Sequence, residues 1–584
     1  MFTFNMILPL LLLSFPWPLL CSPLDIQLES INSTATTNSL FTRSGVLSHQ
    51  FIAQSHTSGS LRGSVLFYNG KIHTFAPGNP VVSVVAITNG YITYTGDSLP
   101  EAERTLSQSS SSVRKINLRS RVAVPGLIDC HNHIVLLGNR PGYHTPLEQS
   151  FSIADVKVTY QQRAKGVPKD GWITTIGGFS PNQLRELRLP TSKELDAAVN
   201  DNPVFISTSF SGPATTNTKG REILEREAGV VIAANGSITS GVENGKALLW
   251  LRQSLLGFEQ RKRSVRSAME YAASVGVTTH LDQGAFSATN TPSDGAASEN
   301  LYTFHLPWLS VYNDLNGIIR LRVNFLHDDS TTDNPTLVER LRNTFPFFGN
   351  DMIRTGAIGE FAVGIADYAG GPVFEAAALK IAKAGWRLEV HALGDNDLST
   401  QLEGFEKVNA NVSIKNLRWV VAHVPRISAD ALKRLKALGA GVNVSGWLYL
   451  SGTGNTTSPA GPPFRRILDS GIRAGFGPDG ANIAPLSPWP HAYYAITGKN
   501  AKGEVINPGH SISRQEVLEL FTKHNTWFLG GPDEHSLGIL EKGRLGDVAV
   551  LSEDYFTIPE ERIKQLRSVL TVVGGVVVWD SGEI

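Results

Sequence analysis

Val-Pro-Gly-Leu-Ile-Asp-Cys-His-Asn-His, from Val124 to His133, decides how this chain is read. An apolar stretch passes through Pro125 and Gly126 into Leu127 and Ile128, the pattern of a buried strand. Two imidazoles, two residues apart, stand at its end. Side chains at i and i+2 of a strand point to the same side. His131 and His133 can therefore converge on one metal ion, and neutral imidazole suits zinc and other first-row divalent metals. Cys130 alternates with the two histidines and is expected to point away from that ion, as a small buried core residue.

A His-x-His pair also occurs as two ordinary strand-end histidines, so the later chain must separate the two readings. Three further segments have the same form. Trp386-Arg-Leu-Glu-Val-His391 and Leu417-Arg-Trp-Val-Val-Ala-His423 run as strands into a histidine, and Ile472-Arg-Ala-Gly-Phe-Gly-Pro-Asp479 ends in a carboxylate. Helix-patterned stretches at 376–384 and 428–438 lie between them. Strands alternating with helices give an α/β class with a parallel sheet. In a closed parallel barrel every strand's C-terminal end faces one mouth, which would gather these distant residues into one pocket.

His131, His133, His391, His423 and Asp479, in that order, resemble the metal-ligand set of the amidohydrolase superfamily. The phrases Pro125-Gly-Leu-Ile-Asp129, His391-Ala-Leu-Gly-Asp395 and Arg418-Trp-Val-Val-Ala-His423 are similar to its YtcJ-like, or amidohydrolase 3, branch. So is the tail Leu537-Gly-Ile-Leu-Glu-Lys-Gly-Arg-Leu-Gly-Asp547-Val-Ala-Val-Leu551. That branch includes N-substituted formamide deformylases and a plant light-signalling relative. The resemblance runs from about Ser64 to the C-terminus. It implies a (β/α)8 TIM-like barrel, a small β-sandwich domain made from both chain ends (61–124 and 535–584), and one or two divalent metals per chain, with zinc as first choice. The barrel would occupy 125–534. Counting back from the ligands, strand one precedes His131, strand two is 275–281, three is 319–326 and four is 354–361. Strand five ends at His391, six at His423, seven is 440–449 and eight ends at Asp479. Residues 134–260 then form an insertion with strands of its own at 172–177 and 204–208, too long for a βα loop and expected to cover the mouth as a lid.

The chain departs from the family pattern twice. Binuclear members often place a metal-bridging lysine on strand four, whereas this chain reads Ala357-Ile-Gly-Glu360-Phe361. Glu360 can bridge two cations through its two oxygens, or it can pair with a nearby cation and leave a one-metal site. Near Ser211-Gly212-Pro213, where relatives often show Asp-Gly-His, no histidine stands.

The chemistry expected of such a site is hydrolysis of a carbon–nitrogen bond in an amide, N-acyl or cyclic amide. A divalent metal lowers the pKa of bound water toward neutrality. Asp479 would act as general base and His423 would help polarise the carbonyl. Asp129 and Asp395 are candidate supports behind the ligands, with turn or N-cap roles as the alternative. Trp447, Tyr449, Trp489 and His491 follow strands seven and eight and are candidates to line an apolar, aromatic mouth; packing under loops is their other reading. The same site could instead open an ester or lactone, or the scaffold could serve binding or signalling without catalysis. No Gly-x-Ser-x-Gly elbow points to a serine hydrolase.

Composition is ordinary for a soluble globular protein, and the length should hold more than one domain. The 584 residues are 41% hydrophobic and 18% charged, with Lys+Arg and Asp+Glu balanced at 52 each. The expected partner is a small-molecule substrate and not nucleic acid, with a homodimer as an option. Residues 1–22 resemble a secretory signal peptide without a basic start, and 23–60 a Ser/Thr-rich mobile leader, which implies a secreted chain with no membrane span after cleavage. The two cysteines, Cys21 and Cys130, allow no disulfide framework once the signal is removed. Asn-x-Ser/Thr sequons at Asn32, Asn235, Asn411, Asn443 and Asn455 could carry glycans, with Asn443, on an apparent strand, the hardest to reach.

Overall fold

The computed structural model describes residues 61–78, 80–106, 112–285, 305–480 and 483–584; the signal peptide, the leader and Asn32 lie outside them. Eight parallel strands form the centre: β1 (Leu127–Asn132), β2 (Val277–Asp282), β3 (Arg320–Phe325), β4 (Ile353–Ile358), β5 (Glu389–Ala392), β6 (Val420–His423), β7 (Gly441–Val444) and β8 (Arg473–Phe476). They make two four-stranded sheets in chain order, β1 to β4 and β5 to β8. Ile358 of β4 bridges Leu388 just before β5. On the other side, the Asp479 amide donates to the His131 carbonyl at 2.9 Å. Gly477 permits that closure, because a Cβ there would overlap His131.

Apolar runs on the strands and one-sided helices explain the packing. Helices Phe258–Ser274, Pro372–Lys383, Asp395–Asn411 and Ala429–Ala437 bury Val265, Met269, Phe374, Ile381, Phe405 and Leu432 in one core with Leu321, Val390, Trp419, Val421 and Val442. Burying each such side chain favours folding by about 1.5–3 kcal/mol.

The strand expectations need three corrections. The seventh strand ends at Val444 and not at residue 449; the backbone leaves it at Ser445-Gly446, where His491 packs so closely that a Cβ on Gly446 would overlap it, and Leu448–Ser451 is a helical turn. The fourth strand ends at Ile358, so Glu360 stands on the turn beyond it. The eighth strand ends at Phe476 and not at Asp479, which stands three residues beyond it; the helix Phe258–Ser274 feeds directly into β2.

Both chain ends build two more sheets. Strands Tyr91–Gly96, Val84–Thr88, Ser64–Tyr68 and Val113–Asn117 form one. Val576–Asp580, Ser568–Val573, Val548–Leu551, Val122–Pro125, Lys71–His73 and Val81–Val82 form the other. Val65, Phe67, Ile87, Ala123, Val550 and Val572 share a core between them. The Asp547 of the tail phrase takes a two-pronged ion pair from the buried Arg320 of β3, at 2.7 and 2.8 Å, and accepts the Gly574 amide. Paired and bidentate, these charges tolerate burial that neither would alone.

The insertion after β1 has its own five-stranded sheet, Ser237–Ile238, Ala214–Thr216, Val204–Ser207, Ile173–Ile176 and Tyr143–His144 in spatial order. Two contacts reach from it to loops after β7 and β8. Asn182 donates to the Leu450 carbonyl at 3.3 Å. The buried Glu148 accepts the Leu486 and Ser487 amides at 2.7 and 2.8 Å and the Tyr271 hydroxyl at 2.6 Å. Burial raises the Glu148 pKa to about 7, against the pull of those donors. A carboxylate whose folded pKa is raised binds more protons folded than unfolded, so its contribution is fully present below about pH 4.5 and is lost as pH rises through about 7. Ionising Glu148 should therefore cost about 3 kcal/mol by pH 8. Thermal unfolding of Glu148→Gln should lose that part of the slope between pH 4.5 and 8; an unchanged slope would assign the pH dependence elsewhere.

No helix among the described residues is long and apolar enough to cross a membrane. Asn235, Asn411 and Asn455 are exposed, while Asn443 is buried inside the barrel.

Candidate metal centre

The C-terminal ends of five barrel strands meet around one carboxylate. Glu360, just beyond β4, is buried and surrounded by imidazoles. Its Oε1 lies 3.0 Å from His133 Nε2, and its Oε2 lies 2.9 Å from His391 Nδ1, 3.0 Å from His423 Nε2 and 3.5 Å from His131 Nε2. Asp479, past β8, stands on the far side, 3.5 Å from His133 Nε2, 3.9 Å from His131 Nε2 and 3.8 Å from His423 Nδ1. All six expected ligands are thus brought together.

Local sequence explains the placement. The β1–β2 ladder shifts register between His280 and Asp282, opposite the end of β1, and such irregularities re-aim side chains. His423 and Asp479 adopt left-handed backbone angles, with φ of 71° and 58°. Each such residue costs on the order of 1 kcal/mol or more and persists only where its surroundings hold it. Backbone hydrogen bonds pin both turns: the Val424 amide to the Ala422 carbonyl at 2.9 Å, and the Asp479 amide to His131.

Charge is arranged for a cation. Burial opposes the charged form of His131, but Glu360 and Glu389 outweigh it and hold its pKa well above the ordinary imidazole value. Burial likewise opposes charge on His133, and Glu360 with Asp479 pushes its pKa up to about 9. His423 is shifted down by burial and by His391. Burial resists ionisation of Glu360, yet His391, His131 and His133 hold its pKa well below the usual carboxylate range. Two groups, His131–Glu360–His423 and His131–His133–Asp479, each have one ligand atom per residue within 4.8 Å of the others. The residues fit a divalent metal: His131 Nε2 is buried without a hydrogen-bond partner among the described residues, and the donors are imidazoles and carboxylates.

Several expected residues stand elsewhere. Asp395 is exposed in the first turn of the helix Asp395–Asn411, where a carboxylate suits the helix dipole, and does not support His391. Trp489 is buried, with its indole N–H donating at 3.0 Å to the Val275 carbonyl, ahead of β2 and so at the end of the barrel opposite the mouth. His491 is buried against Gly446, bonded to the Pro485 carbonyl at 2.9 Å, with its pKa lowered to about 4 by burial. Tyr449 is buried edge-on to Tyr493, its ring centroid 6.1 Å away. Trp489 and His491 pack the core because residues 488–495 are buried on every side of their helix, and Tyr449 packs against Tyr493 of that helix from the turn Leu448–Ser451. Trp447 is half-buried before the turn Leu448–Ser451. Asp129 is buried; it accepts the His131 amide at 3.0 Å and lies 3.3 Å from His280 Nδ1. Cys130 bonds Asn525 and packs with Val420, Trp527 and Phe528.

Four residues escaped the sequence reading. Glu389 lies 2.6 Å from His131 Nδ1. Ser445 lies 3.3 Å from His423 Nδ1. Phe361 stacks on His391 with centroids 5.1 Å apart, and Tyr368 meets the same ring edge-on at 5.7 Å. Glu389 was legible: Arg387, Glu389 and His391 follow the same two-residue period that singled out His131 and His133.

The amidohydrolase family model matches residues 114–579, spanning the barrel, the ligand cluster and most of the tail. The chain belongs to the amidohydrolase family. This amidohydrolase is 21% identical over 551 residues to the N-substituted formamide deformylase of Arthrobacter pascens, covering 88% of this chain and 98% of that protein. It is 22% identical over 563 residues to YtcJ of Bacillus subtilis, covering 88% and 99%. Among solved structures it is similar in fold to a metal-dependent hydrolase from Pyrococcus horikoshii, with a TM-score of 0.54, 18% identity and coverage of 85% and 99%. It also resembles the zinc complex of the atrazine chlorohydrolase TrzN from Arthrobacter aurescens, with a TM-score of 0.52, 19% identity and coverage of 88% and 95%. These neighbours place the mixed α/β fold with the TIM-barrel hydrolases.

Proposed function

We propose that this amidohydrolase cleaves a carbon–nitrogen bond of a small molecule, an amide, N-acyl or cyclic amide, with divalent metal, zinc first, held by His131, His133, Glu360, His391, His423 and Asp479. The observation that carries the reading is a buried Glu360 ringed by four imidazoles with Asp479 opposite. A bound divalent metal supplies an acidified water and a Lewis acid for the carbonyl. Asp479 would orient a water in the pocket, accept its proton at a carboxylate oxygen as the water oxygen bonds to the carbonyl carbon, and return it to the departing nitrogen as the carbon–nitrogen bond breaks. His423 faces Glu360 through Nε2 and Asp479 through Nδ1, a position from which it can steady the carbonyl oxygen. The insertion, tied to the loops after β7 and β8, serves as a lid that excludes water, and the two end sheets act as a β-sandwich bracing the barrel.

The rim favours an apolar substituent next to the scissile bond. Phe361 and Tyr368 wall the His391 side, and Ile365, Leu393 and Ile483 are exposed on the loops after β4, β5 and β8. Similarity to an N-substituted formamide deformylase supports amides over esters. Chelator treatment should abolish hydrolysis of N-acyl and aryl amides, and zinc should restore it, with esters and lactones turned over more slowly. Ester turnover exceeding amide turnover would overturn the bond assignment. A metal-loaded chain that hydrolyses nothing in the panel would overturn the catalytic reading.

A further inference from the structure

Below the ring of histidines, β5 carries a second carboxylate. Glu389 precedes His391 by two residues and is fully buried. Its Oε1 lies 2.6 Å from Nδ1 of His131. Asn443 of β7 donates to the same oxygen at 3.2 Å and to the Cys130 carbonyl at 3.0 Å, so the carboxylate is fixed from two other strands. Arg387, two residues earlier and also buried, lies within electrostatic reach of Glu389.

Resting on the metal-dependent reading above, we propose that Glu389 is a positioning residue for the metal centre, holding His131 with its proton on Nδ1 and its Nε2 lone pair aimed at the ligand cluster. Burying a carboxylate costs several kcal/mol unless its partners compensate. A carboxylate kept only for packing would be expected to satisfy both oxygens. Glu389 instead concentrates two contacts on Oε1, and Oε2 is buried without a hydrogen-bond partner among the described residues. Which imidazole nitrogen carries the proton follows from the partner it faces. Opposite a carboxylate oxygen at this distance, Nδ1 must be the donor, which leaves Nε2 as the ligating atom. The companion histidine is set in the same way by a neutral group: His133 Nδ1 faces the Gly284 carbonyl at 2.7 Å. The His-x-His pair is thus held by one carbonyl and one carboxylate, and the carboxylate also makes His131 the more basic ligand.

The test uses the full chain, stripped with chelator and reloaded with zinc or cobalt(II), in parent, Glu389→Gln and Asn443→Ala forms. Metal dissociation constants come from chelator competition, ligand geometry from the visible spectrum of the cobalt form, and folding from melting of the stripped protein. Glu389→Gln should weaken metal binding by about 10–100-fold and shift the cobalt bands. Asn443→Ala should act in the same direction and less strongly. A folded Glu389→Gln with parental affinity and spectrum overturns the positioning role alone. A parent that takes up no metal overturns the metal reading and this role with it. Should stripped Glu389→Gln fail to fold, Asn443→Ala decides: a weakened site supports the role, and an unchanged one overturns it.

Discussion

Glu360→Ala is expected to lower bound metal from two per chain to one and to reduce amide hydrolysis by about a thousandfold, the equivalent of about 4 kcal/mol. The reason is the split of its two oxygens. Oε1 faces His133 while Oε2 faces His391, His423 and His131, so the carboxylate belongs to the group His131–Glu360–His423 and also reaches His133 of the other group. Without it, His391 loses its carboxylate and His423 keeps only Asp479, 3.8 Å from its Nδ1. The remaining group, His131–His133–Asp479, still offers three ligands within 4.8 Å of one another, enough to retain one ion. Elemental analysis of parent and variant, purified without chelator, checks the count. One metal in both would make Glu360 a charge partner for the histidines and the site mononuclear. Two in both would leave it outside the ligand set.

The same geometry fixes the behaviour of the stripped protein. Glu360 offsets protonated imidazoles at His131 and His133, whose pKa values it raises. Metal must displace those protons, so uptake by the parent releases acid and weakens as pH falls below about 9. Losing Glu360 removes that support, and the variant's remaining site should release fewer protons per ion.

Much of this centre was legible because its residues obey short-range rules. His131 and His133 share a strand period, and His391, His423 and Asp479 each end an apolar run. Glu360 stood out because a carboxylate occupied the place where the family pattern has a lysine. The wall residues were not legible. Trp447, Tyr449, Trp489 and His491 follow strands seven and eight, as mouth residues do, but nearness in sequence does not say whether a helix turns its aromatics outward or into the core. The helix Pro488–Thr497 buries residues 488–495, and no polar stripe in Pro-Trp-Pro-His-Ala-Tyr-Tyr-Ala marks a solvent side. Phe361 and Tyr368 were missed for the converse reason. They follow β4 in a Gly-rich loop without periodicity, and only the path of that loop brings them to His391. Glu148 shows a third limit: its partners at Tyr271, Leu486 and Ser487 are more than a hundred residues away, and no local pattern announces them.

Asp479→Asn should separate binding from chemistry. Asparagine keeps the size of the side chain and one carbonyl oxygen, and the left-handed turn at this position tolerates it. It cannot accept a proton from water. A general base contributes about 10²–10⁴-fold, so kcat should fall by that factor while KM changes little, because the Phe361–Tyr368 wall and the rim are untouched. Two neighbours sharpen the expectation. His133 and His423 both face this carboxylate and remain in the variant, so neither can replace it as the base if kcat falls while metal is retained. Retention of metal by Asp479→Asn, measured alongside the rates, is what makes the result decisive. Loss of kcat with metal bound assigns the proton transfer to Asp479. Loss of kcat together with the metal reduces Asp479 to a ligand, and the base must then be sought among the other groups at the mouth. A variant with parental kcat would remove Asp479 from the reaction altogether.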